Sequence, residues 1–483
     1  MPSDKRNMMR SAGIVLTVLL MLTAVGGCTL GPDFVPPDLT PPGAYRTDVM
    51  PATSADDLQW WTLFDDPVLY HLVTTALENN KDVRIAVSRM EEARASLGFT
   101  RADQFPQLDL QGGANRGTFQ GGARSETTNY YAYIGPALSW EIDFWGKFRR
   151  ATESARAGLL ASEYGVRTVQ LALIADVAST YYLLLDYHQR LAISMATLRS
   201  RNESLRIIAL RFEKGTVPEI DLNQAQIQKE TAEEAIPLYE RLIAKTENAL
   251  SVLLGRNPQA ISQGDALDRQ SLPPDIPAGI PADVLARRPD VAEAMYALQA
   301  QTAQIGVAEA LRLPAVNLTG LLGVATSEAS NIESDGDVWS VGGSLLGPIV
   351  DFGKNRSRVE IEEARTRQAL YQYEKAVLAA FREVDDALVE IETLKRQTAA
   401  IQRRLKAAAN ANFLSKERYD KGVTSYLEVL DTERTLFNVQ LSNSELRQQL
   451  FASYVQLYKA LGGGWMTREE MAQQEAAPAT PQP

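Results

Sequence analysis

The sequence has little of the material from which enzymes build active sites. Of its 483 residues, one is cysteine and two are histidine, His71 and His188. A single cysteine excludes an intramolecular disulfide framework and a cysteine-based zinc site, and two histidines leave little for histidine-centred catalysis. No phosphate-cradling Gly-Lys-Ser/Thr loop and no dinucleotide fingerprint occurs. The sequence therefore predicts no enzymatic activity, no metal site and no cofactor.

Several long hydrophobic runs and a basic excess are also missing. A mean hydropathy of −0.19 excludes a polytopic helical membrane protein, which needs several runs of about 20 apolar residues. The 49 basic residues are outnumbered by 60 acidic ones, for a net charge of −11. This balance argues against a nucleic-acid partner, because no positive excess exists to neutralise phosphates. The apolar fraction of 45% is typical of chains that bury a core.

The N-terminus has the pattern of a secretory signal. Three basic residues precede an apolar run at residues 14–25, which is too short to span a bilayer comfortably. Small residues then lead to Cys28, a pattern that resembles a bacterial lipobox. It implies cleavage after residues 1–27, acylation of Cys28 and, with Thr29 next, sorting to the outer membrane. The alternative is a plain signal peptide followed by an incidental cysteine.

The mature chain divides into four segments. Residues 28–65 are rich in proline, which opposes helix, and are predicted to be a lipid anchor and extended tether. Residues 66–270 and 271–464 are predicted to be two repeats. Residues 465–483 are rich in alanine, glutamine and proline, and are predicted to be a flexible tail.

The two repeats are visible when the sequence is shifted on itself. A shift of 208 residues places Gly98 on Gly306 and Pro106 on Pro314, and a shift of 207 places Arg211 on Arg418. A single one-residue gap reconciles the two shifts. Apolar residues fall on equivalent positions of the second strand in both copies only if this one-residue gap lies in the loop before that strand. The chain therefore contains two large copies of one unit and is no solenoid of short repeats.

Each repeat is predicted to contain a helix, two strands and two further helices. The predicted elements are helix 67–104, strands 108–120 and 130–145, and helices 146–212 and 219–254, then helix 282–311, strands 313–326 and 337–352, and helices 354–419 and 426–461. The longest helices span roughly 100 Å at 1.5 Å per residue. Pro237 is expected to kink or break its helix. A heptad seam is predicted at Val377, Phe381, Val384, Leu388 and Ile391.

The strands alternate between an apolar and a polar face. From Tyr130 to Phe144, alternate residues are apolar or aromatic and the others are small or polar, which is typical of a transmembrane β-strand. A half-buried strand of a soluble sheet is the alternative. Four strands cannot close a barrel, and open edges are not tolerated in lipid. Three copies would supply twelve strands, with residues 121–129 and 328–336 as external hairpin tips.

These features together resemble the TolC-like outer-membrane factors, in particular the lipoprotein (NodT/OprM-like) branch that works with resistance-nodulation-division pumps. The residues that carry the resemblance are Cys28 with Gly31-Pro32-Asp33-Phe34, the segment Ser139 to Lys147, the segment Pro281 to Asp290 and the segment Pro348 to Gly353. The resemblance covers essentially the whole mature chain. It implies an α+β membrane protein with a duplicated strand-strand-long-helix repeat.

The resemblance also implies an assembly and its partners. Three copies would form a twelve-stranded β-barrel in the outer membrane, continuous with a periplasmic α-helical barrel. A periplasmic adaptor protein would contact the two helix turns, and an inner-membrane resistance-nodulation-division transporter would supply the energy. The implied contact residues are Gly215, Thr216, Val217, Gly422, Val423 and Thr424. Outer-membrane lipid is the remaining partner.

The family closes its pore near the second turn with rings of acidic residues. This implies Glu428 and Asp431 as gate candidates, with Asp221 as the first-repeat counterpart of Glu428. Tyr419 matches a family tyrosine that helps to latch the closed state. The family's partner arginine is absent here, because Thr424 occupies its place, and this puts the transfer of the latch in doubt.

Glu428 also has an alternative role. Ser425 and Glu428 have the spacing of a capping box, so this carboxylate can instead cap the helix that begins there. Glu428 and Asp431 are three residues apart and lie on one helix face.

The predicted function is that of a passive trimeric channel of a tripartite efflux pump, lipid-anchored in the outer membrane and exporting small molecules such as drugs. Two alternatives remain. One is the duct of a type I protein-secretion system, which shares the fold. The other is a periplasmic coiled-coil scaffold lipoprotein without a pore, against which the strand alternation argues.

Overall fold

A computed structural model of the chain describes residues 29–38, 45–46, 60–120, 123–274, 285, 287–326 and 336–463. Cys28, the predicted signal peptide 1–27 and the predicted tail 465–483 lie outside the described residues, as do residues 328–335 of the second predicted hairpin tip.

A helix, two strands and two long helices follow one another in both halves of the chain, and the described part of the first half has one further helix before them. After a 3-10 helix at Trp60–Phe64, the first half has α1 (Pro67–Asn79), α2 (Lys81–Ala102), β1 (Gln107–Gln120), β2 (Ala123–Ile142), α3 (Lys147–Glu213) and α4 (Glu219–Leu253). The second half has α5 (Pro289–Ala310), β3 (Ala315–Thr326), β4 (Gly336–Leu346), α6 (Lys354–Asp420) and α7 (Tyr426–Ala460). Helices α3 and α6 have 67 residues each, and α4 and α7 have 35 each. The duplicated repeat predicted from the sequence is therefore present in the structure.

The four strands form one antiparallel sheet in the order β1-β2-β3-β4. Leu108 lies opposite Leu138 in the first hairpin, and Val316 lies opposite Leu345 in the second. Each position of β3 is therefore equivalent to the position 208 residues earlier in β1, whereas each position of β4 is equivalent to the position 207 residues earlier in β2. The one-residue gap lies between the strands of the hairpin, as the alternation of the sequence predicted.

The ends of the strands differ from the prediction. Residues 123–129, predicted to be part of an external loop, belong to β2, which ends at Ile142 instead of residue 145. Strand β4 ends at Leu346. Residues 347–352, which were predicted to belong to this strand, lie outside it. Asp351 is instead a capping residue, since its carboxylate accepts hydrogen bonds from the backbone of Gly353 and Asn355.

The first predicted helix, residues 67–104, is two helices separated at Asn80. The Oδ1 atom of Asn80 accepts hydrogen bonds from the backbone N–H groups of Asp82 at 2.8 Å and Val83 at 3.2 Å. Asn80 is thus the N-cap of α2, and a continuous helix was the wrong prediction.

The predicted helix break and heptad seam also need correction. Helix α4 continues through Pro237 without a break. In α6, Val377, Val384 and Ile391 are buried as predicted, but Phe381 and Leu388 are only half-buried. Two alanines, Ala380 and Ala387, lie between these three residues in the sequence and are buried with them. Small side chains at these positions allow a neighbouring backbone to approach closely.

The chain divides into two compact units, each built from both repeats. The first unit comprises the described residues of Met1–Pro37, Met90–Ala161 and Ala294–Tyr373, and it contains the sheet. The second comprises those of Asp38–Arg89, Ser162–Glu293 and Glu374–Pro483. Among the residues that the structure describes, one helix, α3, contains an 18-residue stretch that could cross a membrane by length and composition, and 56% of that stretch is buried within the fold.

The core of the second unit is aromatic. The Tyr182 and Phe451 rings stack with centroids 4.4 Å apart, and the Phe64 ring lies 5.4 Å from Tyr182. Trp60 stacks on Tyr458 at 5.3 Å. Trp60 and Phe64 belong to the end of the segment predicted to be an extended tether. That part of the prediction is wrong, because these large apolar side chains are buried.

Candidate functional site at the helical turns

The turns that join α3 to α4 and α6 to α7 have the same backbone structure. Gly215 and Gly422 have positive φ angles of 68° and 72°. The next residues, Thr216 and Val423, donate backbone hydrogen bonds of 2.9 Å to carbonyls five residues earlier. This is the Schellman ending of a helix, in which glycine adopts the left-handed conformation without a Cβ penalty.

The residues predicted to contact a partner protein are accessible at these turns. Gly215, Thr216, Gly422 and Val423 are exposed, whereas Val217 and Thr424 are half-buried. Exposed apolar side chains also lie at equivalent positions just past the turns, at Ile220 and Leu427.

Beneath the turns, a small hydrophobic group joins the two helix pairs; we call it the turn cluster. Its buried members are Ile208, Ala225, Tyr426, Val429 and Leu430, and Leu205, Val217, Leu222 and Tyr419 pack against it. Since these residues come from all four long helices, the turn cluster holds the two turns in a fixed relation. Burial raises the pKa of the Tyr426 hydroxyl.

Tyr419, the predicted latch residue, lies at the edge of the turn cluster. Its ring centroid is 5.3 Å from that of Tyr426. The guanidinium of Arg211 lies 5.0 Å from the Tyr419 ring centroid and 3.3 Å from the Asp420 carboxylate. A cation thus connects the end of α3 to the end of α6. The sequence marked Arg211 only as the counterpart of Arg418 in the repeat, and its partners become visible only when the helices are packed.

Glu428 makes contacts that exclude the capping-box alternative. The Ser425 side chain makes no capping hydrogen bond. Instead, the Thr424 hydroxyl donates to Oε2 of Glu428, and Nε of Arg418 lies 3.6 Å from Oε1. Thr424, at the position where the resemblance implies an arginine, therefore donates a hydrogen bond to the gate candidate itself.

The other two acidic candidates are arranged differently. Asp431 has a side chain that is 62% exposed and lies 2.7 Å from Arg434 on the same helix. Asp221 is half-buried, and its charge contributes to the raised pKa of Tyr426. Among the residues that the structure describes, His, Cys, Asp and Glu form no group that could hold a metal ion.

A second candidate site lies in the first unit, where the residues just after Cys28 are bound. We call residues 29–33 the N-terminal strap. Arg150, only 4% exposed, donates to the carbonyls of Leu30 at 3.0 Å and Gly31 at 3.1 Å and to the Asp33 carboxylate at 2.7 Å. The Cα of Gly31 approaches Gly306 so closely that a Cβ on either residue would clash with backbone.

The strap, which belongs to the segment predicted to be an extended tether, is therefore docked against the fold. The backbone N–H of Leu30 donates to the carbonyl of Trp145 at 3.3 Å. Thr29 packs against Gly146, so the strap lies at the junction of β2 and α3.

The chain is similar to known outer membrane efflux proteins over nearly its whole length. The model of the family described as outer membrane efflux protein matches residues 72–256 and 280–463. The solvent efflux pump outer membrane protein SrpC of Pseudomonas putida is 37% identical over 473 residues, covering 95% of this chain and 99% of SrpC. The probable outer membrane lipoprotein SilC of Salmonella typhimurium is 30% identical, covering 94% of this chain and 99% of SilC.

A solved structure shows a similar fold. The outer-membrane channel OprN superposes with a TM-score of 0.84 at 29% identity, covering 91% of this chain and all of OprN. These likenesses confirm the resemblance and the fold class that the sequence predicted.

Proposed function

The chain belongs to the outer membrane efflux protein family and is the outer-membrane channel of an efflux pump; from this premise we propose that three copies form a passive duct for small molecules. The observation that carries the proposal is the four-stranded sheet with two open edges. Unpaired edges are costly in lipid, so the sheet requires further strands. Three sheets of four strands supply twelve, enough to enclose a lumen.

The pairs of long helices support the second half of this proposal. Each repeat contributes a 67-residue and a 35-residue helix, so three copies contribute twelve. These helices form the periplasmic wall of the duct, and the exposed turns 215–217 and 422–424 contact a periplasmic adaptor protein. The exposed Ile220 and Leu427 provide apolar surface for that contact.

Energy comes from an inner-membrane resistance-nodulation-division transporter, since the sequence has no nucleotide-binding motif. The relatives are transport channels, and we extend this to propose that the chain catalyses no reaction. SrpC is named for solvent efflux; here we propose small molecules in general, because a wide duct has no tight pocket to select one. The similarity to efflux channels favours this cargo over proteins.

The protein lies in the outer membrane, and we propose that Cys28 carries its lipid anchor. The Arg150 contacts to the N-terminal strap support this placement because they hold the neighbouring residues against the fold. We also propose that the chain divides into a signal peptide (1–27), an anchor segment (28–65), two repeats (66–270 and 271–464) and a tail (465–483). The two family matches, at 72–256 and 280–463, support the repeats.

The gate lies at the turn cluster. Arg211 and Tyr419 join the two helix pairs, while Thr424 and Arg418 hold Glu428. Movement of one helix pair against the other breaks the contacts of Arg211 with Tyr419 and Asp420 at a cost of about 1 kcal/mol each, whereas the contacts of Glu428 lie within one helix pair and move with it. With Asp431 and Asp221, the carboxylates brought around the axis by three copies make the closed end attract cations and repel anions.

Conductance in planar bilayers tests the function. Purified wild-type protein should form trimers with low resting conductance. The double variant Glu428→Ala with Asp431→Ala should raise that conductance or reduce its preference for cations. The double variant Glu234→Ala with Glu240→Ala removes the same charge from exposed positions away from the turns and should behave as wild type. Absence of trimers and of conductance would refute the channel, and unchanged conductance in the gate variant would refute the gate.

A further inference from the structure

A cleft of about 370 Å³ lies between α3, α6 and α7; we call it the three-helix cleft. It extends along α3 from Gln189 to Arg201, which is about 18 Å at 1.5 Å per residue. It shares no residue with the turn cluster, whose first residue on α3 is Leu205. The proposed function gives the three-helix cleft no role.

One end of the three-helix cleft contains a deeply buried cation. Arg201 is 3% exposed, and its guanidinium lies 5.0 Å from the Phe437 ring centroid. One terminal nitrogen of Arg201 donates to the carbonyl of Gln228 at 2.5 Å, while its Nε has no hydrogen-bond partner among the described residues. In the described part of the chain, no carboxylate forms an ion pair with Arg201. Its positive charge is therefore held only by neutral groups.

Two other arginines show how this fold balances a buried guanidinium. Arg150 and Arg288 are 4% and 6% exposed, and each lies 2.6–2.8 Å from two carboxylates. At both arginines burial acts to lower the pKa, but the hydrogen bonds and charges of the carboxylates raise it overall. At Arg201 burial lowers the pKa by more than the charge of Glu433 raises it. Because a buried charge without a paired charge is costly, Arg201 is suited to receive a negative charge from a bound molecule.

The acidic residue of the three-helix cleft already has a cationic partner. Glu433 is 7% exposed, and its Oε1 lies 2.7 Å from Nζ of Lys416. The charged residues that line the cleft are therefore two cations, Arg201 and Lys416, and one carboxylate. This leaves an excess of one positive charge, which favours an anionic ligand.

The middle of the three-helix cleft is apolar. Ile193, Leu436 and Phe437 contribute large apolar side chains, and the small side chains of Ala192 and Ala196 leave room beside them. Ligand sites typically combine such an apolar lining with a few polar groups that fix the orientation of the ligand. An inorganic anion would pair with the cationic end but leave the apolar side chains without a contact. A carboxylate with a hydrocarbon body contacts both parts of the cleft.

We propose that the three-helix cleft binds a small organic carboxylate, whose negative charge pairs with Arg201 and whose hydrocarbon body lies against Ile193, Leu436 and Phe437. Hydrogen bonds between arginine and a carboxylate are among the strongest in proteins. The bound molecule contacts α3 of one pair of long helices and α6 and α7 of the other pair. It therefore opposes movement of one pair against the other and stabilises the closed channel. This effect on opening rests on the proposed function, whereas the binding itself does not.

Calorimetric titration of the purified full-length protein with benzoate tests the site. Benzamide, which is neutral and has nearly the same shape, is the comparison ligand. Wild-type protein should bind benzoate roughly tenfold more tightly than benzamide, because only the carboxylate forms a charge-assisted pair with the guanidinium. Arg201→Gln should remove this preference. Arg199→Gln takes the same charge from an exposed position two residues away and should keep it.

A second variant tests the site without changing a charge. Ala196→Leu fills part of the three-helix cleft and should weaken benzoate binding roughly tenfold, so the test does not depend on the folding of the Arg201 variant. Absence of benzoate binding to wild-type protein, or equal binding of benzoate and benzamide, would overturn the proposal. Benzoate binding that neither Arg201→Gln nor Ala196→Leu weakens would also overturn it, because the ligand would then lie elsewhere.

Recordings in planar bilayers test the effect on opening. Benzoate should lower the open probability of wild-type channels about twofold and leave that of Ala196→Leu unchanged. If benzoate binds in the calorimeter but the open probability of wild-type channels does not change, the stabilisation of the closed channel is wrong. Absence of trimers and of any conductance would instead refute the channel, and the calorimetric result would stand by itself.

Discussion

At the scale of single residues, Arg150 has the clearest role that the sequence did not reveal. It is buried, and its guanidinium binds two carbonyls and a carboxylate of the N-terminal strap. No motif or spacing marks it, because its partners lie more than 100 positions away. The lipobox predicted at Cys28, in contrast, is a contiguous motif that can be recognised in the sequence.

Arg150→Ala should release the strap. Hydrogen bonds to charged groups contribute about 1.5–3 kcal/mol, so the amide of Leu30 should exchange with deuterium at least tenfold faster. Hydrogen-exchange mass spectrometry of residues 29–38 measures this. Arg156→Ala removes an exposed arginine from the same helix and should leave the exchange unchanged. Equal exchange in the Arg150 variant and wild type would contradict the clamp.

His188 should make the stability of the fold depend on pH. Burial lowers its pKa, partly offset by Glu247, and the Gln263 amide lies 2.7 Å from its Nε2. The folded state therefore binds the proton less well than the unfolded state. The contribution is fully present above the unfolded pKa of about 6.5 and is lost as pH falls through the folded pKa.

The thermal unfolding midpoint should fall between about pH 7 and about pH 5, and His188→Gln should reduce that fall because glutamine does not titrate. Comparing the two proteins across this window separates His188 from the carboxylates that titrate in both. Identical pH dependence in the variant and wild type would show that His188 contributes nothing.

At the scale of elements, equivalent hydrogen bonds join the first helix of each repeat to the end of its last helix, and different residue types form them. Asn80, before α2, donates to the carbonyl of Leu253 at the end of α4, at 2.9 Å. Its counterpart Arg288, before α5, donates to the carbonyl of Ala460 at the end of α7, at 3.1 Å. Long helices were predictable from period and length to within one or two residues. The break at Asn80 was missed, although the Asn80 side chain caps α2 through the backbone N–H groups of Asp82 and Val83.

Arg288→Ala should destabilise the protein by about 3 kcal/mol, because the buried guanidinium also pairs with Asp290 at 2.6 Å and Glu383 at 2.8 Å. Arg288→Lys should recover only part of the loss, since lysine lacks the planar fork. Unfolding of the purified protein in detergent measures both. Exposed Arg269→Ala serves as the control, and a loss no larger than that of this control would contradict the tie.

At the scale of the whole molecule, the sequence predicted the duplicated repeat, the membrane strands and the two turns, since these depend on periodic patterns and glycine positions. The end of β4 at Leu346 was not predicted, because the alternation of its side chains continues to Ile349. The contacts of Glu428 were also hidden, since the spacing from Ser425 fits a capping box equally well. Packing of the helices decided in favour of Thr424 and Arg418.

A cryo-electron microscopy reconstruction of the full-length wild-type protein in lipid nanodiscs tests the central claim most directly. The expected map has three copies around one axis and a closed barrel of twelve strands. A map with any other number of copies, or with β1 and β4 left as unpaired edges in the lipid, would contradict the account.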